Sequence, residues 1–205
     1  MTKRQISIKK RGSAQRKDKS VYLIITEGKN KTETLYLSHF QGQGKDYRIQ
    51  FVKAGNNTDA ESLYKILTAK WEENELSEEK GDKGFIVLDI DNDPLKAQKV
   101  QKIIRDNRYP AIEFIVSNPT FEIWFLLHFK YTTRQYENGE AVIKDLKKYI
   151  ERYAKNGDYF DELQGGLKQA LKYAQRLETH HGDKLWPAVE CNPRTDMGNV
   201  IKKFL

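Results

Sequence analysis

The segment Phe85-Ile-Val-Leu-Asp-Ile-Asp91 decides the fold, because a short apolar run ends in two aspartates at alternate positions. Such a run predicts a strand that is buried on both faces. Three further runs of this kind, residues 21–26, 47–54 and 111–117, are separated by segments with the apolar period of helices. Strands that alternate with helices predict an α/β fold, with a mainly parallel four-stranded sheet and helices on both faces.

The chain divides into three predicted parts. After residue 130 the pattern is helical, over 141–154, 158–180 (where Gly165-Gly166 can break the helix) and 195–205. We expect a basic, flexible arm over residues 1–19, an α/β domain over 20–130, and a helical region over 131–205 that packs on it. A single cysteine excludes an internal disulfide, and the chain has neither a long apolar run nor a secretory signal. These features predict a cytoplasmic protein without a membrane segment.

The excess of positive charge lies at the amino end. The chain has 36 Lys and Arg residues against 29 Asp and Glu, and its first twenty residues contain eight of these basic residues and one acid. The other 185 residues therefore hold 28 of each sign. This pattern is typical of a polyanion-binding arm and equally of a solubilising tail. The candidate nucleic-acid contacts are Lys9, Lys10, Arg11 and Arg16.

Acidic side chains follow two of the predicted strands at the point where each ends. Glu27 follows the first strand, and Asp89, Asp91 and Asp93 end the third. Alternate residues of a strand point to the same side, and a neighbouring parallel strand brings Glu27 to the same edge. Clustered oxygen ligands suit Mg²⁺ or Mn²⁺, which also relieves their repulsion. The alternative is that the aspartates cap a helix at Pro94, but three at alternate positions favour a metal site.

Three more charged residues are candidates at this edge. Glu33, near the start of the first helix, would complete a second metal position or face solvent, and both readings stay open. Lys29 and Lys31 lie in the turn before that helix and would neutralise a phosphate, although two lysines in a turn are usually solvated.

The segment Ser117-Asn-Pro-Thr-Phe-Glu-Ile-Trp-Phe-Leu-Leu-His-Phe129 predicts a helix that is buried on nearly every side. Asn118 before Pro119 is a good N-cap, so capping is favoured over a role in the site. Glu122 stands one place too late for a capping box, and site support and a solvated first-turn acid are equally open. His128 is interpreted as a core histidine.

Several of these blocks together resemble the RloB-like family. They are Glu27-Gly-Lys-Asn-Lys-Thr-Glu33 with Tyr36, Asp89-Ile-Asp-Asn-Asp93, the segment from Ser117 to Phe129, and Asn192-Pro-Arg-Thr195. The resemblance covers roughly residues 8–205. The family is similar to Toprim proteins, in which a Glu ends a first strand and an Asp-x-Asp follows a later one. The resemblance implies a Toprim-like (Rossmann-like) fold with Glu27, Asp89 and Asp91 as catalytic, metal-binding residues.

The resemblance also implies a function. In metal-assisted attack on a phosphodiester, Asp89 and Asp91 would hold Mg²⁺ (or Mn²⁺), and Glu27 would be a ligand or a general base. The association of the family with restriction and abortive-infection loci implies a nuclease of prokaryotic anti-phage defence. Its partners would be DNA or RNA and a protein of the defence locus. The other hypothesis is a non-catalytic nucleic-acid-binding accessory module whose carboxylates are structural.

Removal of residues 1–19 tests the role of the basic arm. If the arm contacts phosphates, the truncated protein will bind duplex DNA more weakly and with a flatter salt dependence. Each lost phosphate contact reduces the slope by about 0.9. Fluorescence anisotropy at several salt concentrations measures this slope, and circular dichroism controls for folding. An unchanged slope would show that the arm is only a solubilising tail.

Overall fold

A five-stranded sheet runs through the part of the chain that the computed structural model describes, residues 19–27, 31–57 and 59–205. Its strands are β1 (Ser20–Thr26), β2 (Tyr47–Val52), β3 (Lys83–Asp89), β4 (Ile112–Asn118) and β5 (Arg194–Thr195). The order is β2-β1-β3-β4-β5, with four parallel strands and β5 antiparallel to β4. The mainly parallel sheet is confirmed. The predicted count of four strands is wrong, since the sheet has five. The sequence does not reveal β5, because its two residues are too few to produce a strand pattern.

Residues 1–18 of the predicted arm and several candidate residues lie outside the described residues. The candidates are Lys9, Lys10, Arg11, Arg16 and Lys29. Their roles stay predictions.

The helices follow the predicted order, with shorter or shifted bounds. They are α1 (Thr32–Ser38), α2 (Ala60–Glu73), α3 (Pro94–Asp106), α4 (Glu122–Leu127), α5 (Gly139–Leu146), α6 (Phe160–Leu163), α7 (Leu167–His181) and α8 (Met197–Phe204). A 3₁₀ turn over Gln164–Gly166 separates α6 from α7, at the glycine pair where a break was predicted. A Cβ at Gly166 would lie 2.4 Å from the main-chain oxygen of His128, so glycine allows this close approach. Within the described residues, no helix is long and apolar enough to cross a membrane.

Helices cover both faces of the sheet, as predicted. In β1, Leu23 and Ile25 point to the cluster formed with α2 and α3, whereas Ile24 points to the opposite cluster. That second cluster contains α1 and α4 and also the helices that follow residue 130. The C-terminal helices therefore share a hydrophobic core with the sheet.

Trp124 of α4 lies in the middle of this shared core. Its side chain is 0% exposed and its ring contacts the rings of Tyr36 and His128. A Cβ added at Gly198 of α8 would lie 3.9 Å from the Trp124 ring. The Trp124 side chain thus joins α4 to α1 and lies beside α8.

Trp124→Ala should destabilise the protein by about 3–5 kcal/mol, because it removes a large buried ring and leaves a cavity. Leu185→Ala is the matched control, since the Leu185 side chain is 67% exposed. We expect that control to change the free energy of unfolding by less than about 0.5 kcal/mol. Denaturant unfolding measures both changes. Equal effects in the two variants would contradict the position of Trp124 in the core.

Candidate functional site

The carboxyl edge of the sheet brings Glu27 and Asp89 together, as predicted. β1 and β3 are parallel neighbours with Thr26 opposite Val87, so Glu27 and Asp89 leave their strands at the same edge. The main-chain N–H of Asp89 donates to Oε2 of Glu27 over 3.2 Å. The carboxylate after β1 is therefore fixed by the end of β3.

The two later aspartates do not continue the strand. β3 ends at Asp89, and Asp91 has a left-handed backbone with a φ of 52°, so strand alternation does not place Asp91 beside Asp89. The Asp91 side chain is 60% exposed and pairs with Lys96. Asp93 is the N-cap of α3, and its Oδ1 accepts the main-chain N–H groups of Leu95 and Lys96. The capping alternative is confirmed for Asp93, so we leave it out of the metal-binding set.

Asn118 is the last residue of β4, so the prediction that it caps a helix is wrong. The N-cap of α4 is Phe121, which lies three residues later. The Asn118 Oδ1 accepts the main-chain N–H of Asn92 at 3.1 Å, and its Nδ2 donates to the carbonyl of Cys191 at 3.2 Å. Asn118 thus joins the turn after β3 to the segment before β5, and so holds in place the turn that follows Asp89.

Glu122 is buried close to Asp89, so the interpretation as a solvated acid is wrong. Glu122 is 3% exposed, and its Oε1 accepts a hydrogen bond of 2.8 Å from the Tyr153 hydroxyl. The Thr120 hydroxyl oxygen lies 2.5 Å from Oε2 of Glu122 and 3.1 Å from Oδ2 of Asp89. A hydroxyl has one proton and cannot donate to two ionised carboxylates at once. The geometry therefore favours a proton on one of the two carboxyl groups.

Glu33, at the start of α1, is buried as well, which rules out the solvent-facing alternative. It is 9% exposed, and its Oε2 has no hydrogen-bond partner among the described residues. Burial raises the pKa of Glu33 to about 7, and repulsion from Glu122 and Glu27 acts in the same direction. A buried carboxyl oxygen without a partner is a position that a cation can satisfy.

The Asp89 carboxyl is perturbed most strongly by its surroundings. Burial raises the pKa of Asp89 well above its ordinary value, and repulsion from four other carboxylates raises it further. We call the five interacting groups the carboxylate cluster: Glu27, Glu33, Asp89, Asp91 and Glu122.

Two ammonium groups lie beside the carboxylate cluster. The Lys96 Nζ is 2.8 Å from Oε1 of Glu27 and 2.8 Å from Oδ2 of Asp91. The Lys155 Nζ is 3.9 Å from Oε1 of Glu122. Within the described part of the chain, neither lysine pairs with Asp89 or with the unpartnered oxygen of Glu33, so these two acids have no direct ion pair there.

The carboxylate cluster fits a hard divalent cation in its chemistry, although its ligands are not preassembled. Among the described residues, no group of three or more His, Cys, Asp or Glu side chains is arranged to hold a metal ion. The Lys96 ammonium stands between Glu27 and Asp91, and the Thr120 hydroxyl contacts Asp89. An all-oxygen donor set with one unpartnered buried oxygen nevertheless suits Mg²⁺ or Mn²⁺.

The prediction for Lys31 is not tested, whereas the prediction for His128 is. Lys31 is exposed just before α1, and its main-chain N–H donates to Oδ1 of Asn156 at 2.7 Å. Its contact with phosphate stays a prediction. His128 is buried with Nδ1 2.9 Å from the carbonyl of Trp124, and burial lowers its pKa to about 4. The core interpretation of His128 is confirmed.

Sequence reasoning missed four residues that contact the carboxylate cluster. Lys96 and Thr120 lie close in sequence to the acidic motifs. Thr120 could have been predicted, because it is a polar residue between Pro119 and an apolar helix. Tyr153 lies 31 positions from Glu122. Its contact, like that of Lys155, depends on the path of the chain between α5 and α6, for which the local sequence has no pattern.

The family comparison covers nearly the whole chain. A family model described as RloB-like protein matches residues 22–204, a span that includes the carboxylate cluster. No curated protein and no solved structure matches the chain.

Glu33→Gln should reduce the pH dependence of stability in metal-free protein. A carboxyl with a pKa of about 7, against an ordinary value of 4.5, binds its proton more tightly in the folded state. The stability that Glu33 contributes is therefore present at low pH and is lost as the pH rises towards 7. This loss, on the order of 3 kcal/mol, should be absent in the variant.

Denaturant unfolding with EDTA across this pH range measures the effect. Glu151→Gln is the control, because Glu151 is exposed and contacts no member of the carboxylate cluster in the structure. It should keep the wild-type pH dependence. A wild-type slope in Glu33→Gln would contradict the buried position of Glu33.

Proposed function

Because the chain belongs to the RloB-like protein family, we propose that it is a Mg²⁺- or Mn²⁺-dependent phosphodiesterase that acts on DNA or RNA. The carboxylate cluster is its active site. The observation that carries this proposal is the meeting of buried Glu33 and Glu122 with half-buried Asp89, with one oxygen of Glu33 left without a partner among the described residues.

Two buried carboxylates and the half-buried Asp89 beside them cannot all be ionised at low cost unless a cation joins them. Protonation is one way to neutralise such a group, and the raised pKa values of Glu33 and Asp89 reflect it. A divalent cation is the other way, because it replaces the protons and also supplies a partner for the free oxygen. The cluster therefore has a driving force for binding metal at neutral pH.

The residues have distinct roles in this proposal. Glu27, Glu33 and Asp89 would hold the metal ion, which when bound polarises a phosphate oxygen and lowers the pKa of water. Thr120 orients the Asp89 carboxyl. Glu122, held by Tyr153, adds negative charge to the cluster.

Positive groups at the rim would contact the substrate. Lys155 is 44% exposed beside Glu122, and Lys31 is exposed at the start of α1. Either ammonium group can pair with a phosphate that approaches the cluster. This arrangement suits an anionic polymer as the substrate class.

The Toprim-like assignment is part of the same proposal. It is supported by a Glu after β1 and an Asp at the end of the adjacent parallel strand β3. The exposed position of Asp91 departs from a convergent Asp-x-Asp pair. A role in prokaryotic anti-phage defence, with a partner protein of the defence locus in the cytoplasm, rests on the family resemblance.

A specific observation favours a second candidate, the non-catalytic accessory module. Lys96 already bridges Glu27 and Asp91, and the described residues contain no preassembled metal site. In such a module the protein's own ammonium groups would balance the carboxylates, and the basic arm would bind nucleic acid. Metal binding without turnover on DNA or RNA would favour this second candidate.

Asp89→Asn, Glu33→Gln and Glu27→Gln test the metal-dependent function. Each change removes a charge and keeps the shape, so metal affinity and phosphodiester cleavage should fall together. The metal-free stability of Asp89→Asn should hold or rise, because carboxylate repulsion decreases. Calorimetric titration with Mg²⁺ and Mn²⁺, cleavage assays on DNA and RNA, and thermal melts measure the three effects.

Asp106→Asn is the matched control, since Asp106 is an exposed residue at the far end of α3. It should keep wild-type affinity and turnover. If instead metal binding is unchanged in all three cluster variants, the metal-dependent proposal fails. A purely structural role for the aspartates predicts a different result, a loss of about 1 kcal/mol with or without metal.

A further inference from the structure

Lys96 places a positive charge against the carboxylate cluster. Its Nζ lies 2.8 Å from both Oε1 of Glu27 and Oδ2 of Asp91, and its side chain is only 19% exposed. These distances are those of direct, charge-assisted hydrogen bonds. Because the Lys96 side chain is mostly buried and contacts two carboxylates, its interaction differs from an ordinary surface salt bridge.

The start of α3 fixes the position of Lys96. Lys96 is the third residue of the helix, and its main-chain N–H donates to Oδ1 of Asp93, the N-cap, at 3.2 Å. Pro94 at the first helical position restricts the backbone further. The backbone of Lys96 is therefore held at the cluster by the first turn of a helix.

The Lys96 contact uses the part of Glu27 that a metal ion would need. One oxygen of Glu27 accepts from Lys96 and the other accepts from the main chain of Asp89. Each oxygen keeps a second lone pair, but a divalent cation at Oε1 would lie close to the Lys96 ammonium group and be repelled by it. The main-chain donor belongs to the strand end, whereas the Lys96 side chain can swing towards solvent.

A second observation points to a missing cation beyond Lys96. The Oε2 atom of Glu33 is buried and has no partner in the described residues, and Glu33 is the strongest source of repulsion on Asp89. Lys96 neutralises the outer side of the cluster, at Glu27 and Asp91. On the inner side, at Glu33 and Asp89, the residues that the structure describes form no ion pair.

We propose that Lys96 is a resident counter-ion that competes with the divalent cation for the carboxylate cluster and sets its metal affinity. Without metal, the ammonium group holds Glu27 and Asp91 in place. When metal binds, it gives up Glu27. This inference rests on the proposed metal-dependent function and adds a regulating residue to it.

Lys96→Met tests the competition without any nucleic acid or activity assay. Methionine keeps most of the length of the side chain and removes its charge. Isothermal titration of the full chain with Mg²⁺ and with Mn²⁺ should show about tenfold tighter binding than in wild type. The melting temperature of the metal-free variant should fall, and saturating Mg²⁺ should restore more of it than in wild type.

Lys99→Met is the matched control, because Lys99 lies one turn later on α3 and is exposed. It removes the same charge without touching the cluster, so its metal affinity should equal that of wild type. Lys96→Arg keeps the charge and should also stay near wild type. If Lys96→Met does not fold, Lys96→Gln supplies the same comparison with a polar side chain.

The outcomes separate this inference from the proposed function. If wild type binds metal and Lys96→Met binds it equally or more weakly, the competition is overturned while the metal site stands. If Lys99→Met gains affinity as much as Lys96→Met, the effect is one of general charge, and the inference is again overturned. If neither wild type nor any variant binds metal, both proposals fail.

Discussion

The site depends on how the protein tolerates like charges that lie close together, two of them buried, at the carboxyl edge of its sheet. Glu33, Asp89 and Glu122 come from α1, β3 and α4, and each is held in place by the packing of its own element. Ionised side by side, they would oppose the fold that brings them together. Protons, the ammonium group of Lys96 and a divalent cation are the three means of relief that the site offers. In the proposed function, the means that neutralises these charges determines both the stability of the protein and its affinity for metal.

The hydrophobic core and the site share one segment of chain. The residues that follow β4 place the Thr120 hydroxyl beside Asp89 and then enter α4, a helix buried on all sides around Trp124. Glu122 begins that helix, so the position of its carboxylate is as fixed as the core itself. In the proposed enzyme, such a rigid frame would hold the catalytic groups in place before substrate arrives. It also explains why a residue at the start of an apolar helix is acidic.

The sequence predicted the features that depend on the order of the strands and on the spacing of apolar residues. A Glu after one strand and an Asp at the end of another were expected at one edge, and β1 does pair with β3. The sequence did not reveal contacts made by tertiary folding: β5, the Tyr153 bond to Glu122, and the pairing of Lys96 with two acids. Asn118 was misassigned because asparagine before proline favours a helix cap, whereas β4 continues to that residue.

Crystals soaked in Mn²⁺ test the central claim most directly, since the anomalous signal of manganese locates the ion without reference to activity. We expect an anomalous peak from an ion bound by Asp89 and Glu27, close to the Oε2 atom of Glu33, with the Lys96 ammonium moved away from Glu27. A cluster without an anomalous peak at saturating Mn²⁺, with Lys96 still bridging Glu27 and Asp91, would contradict it.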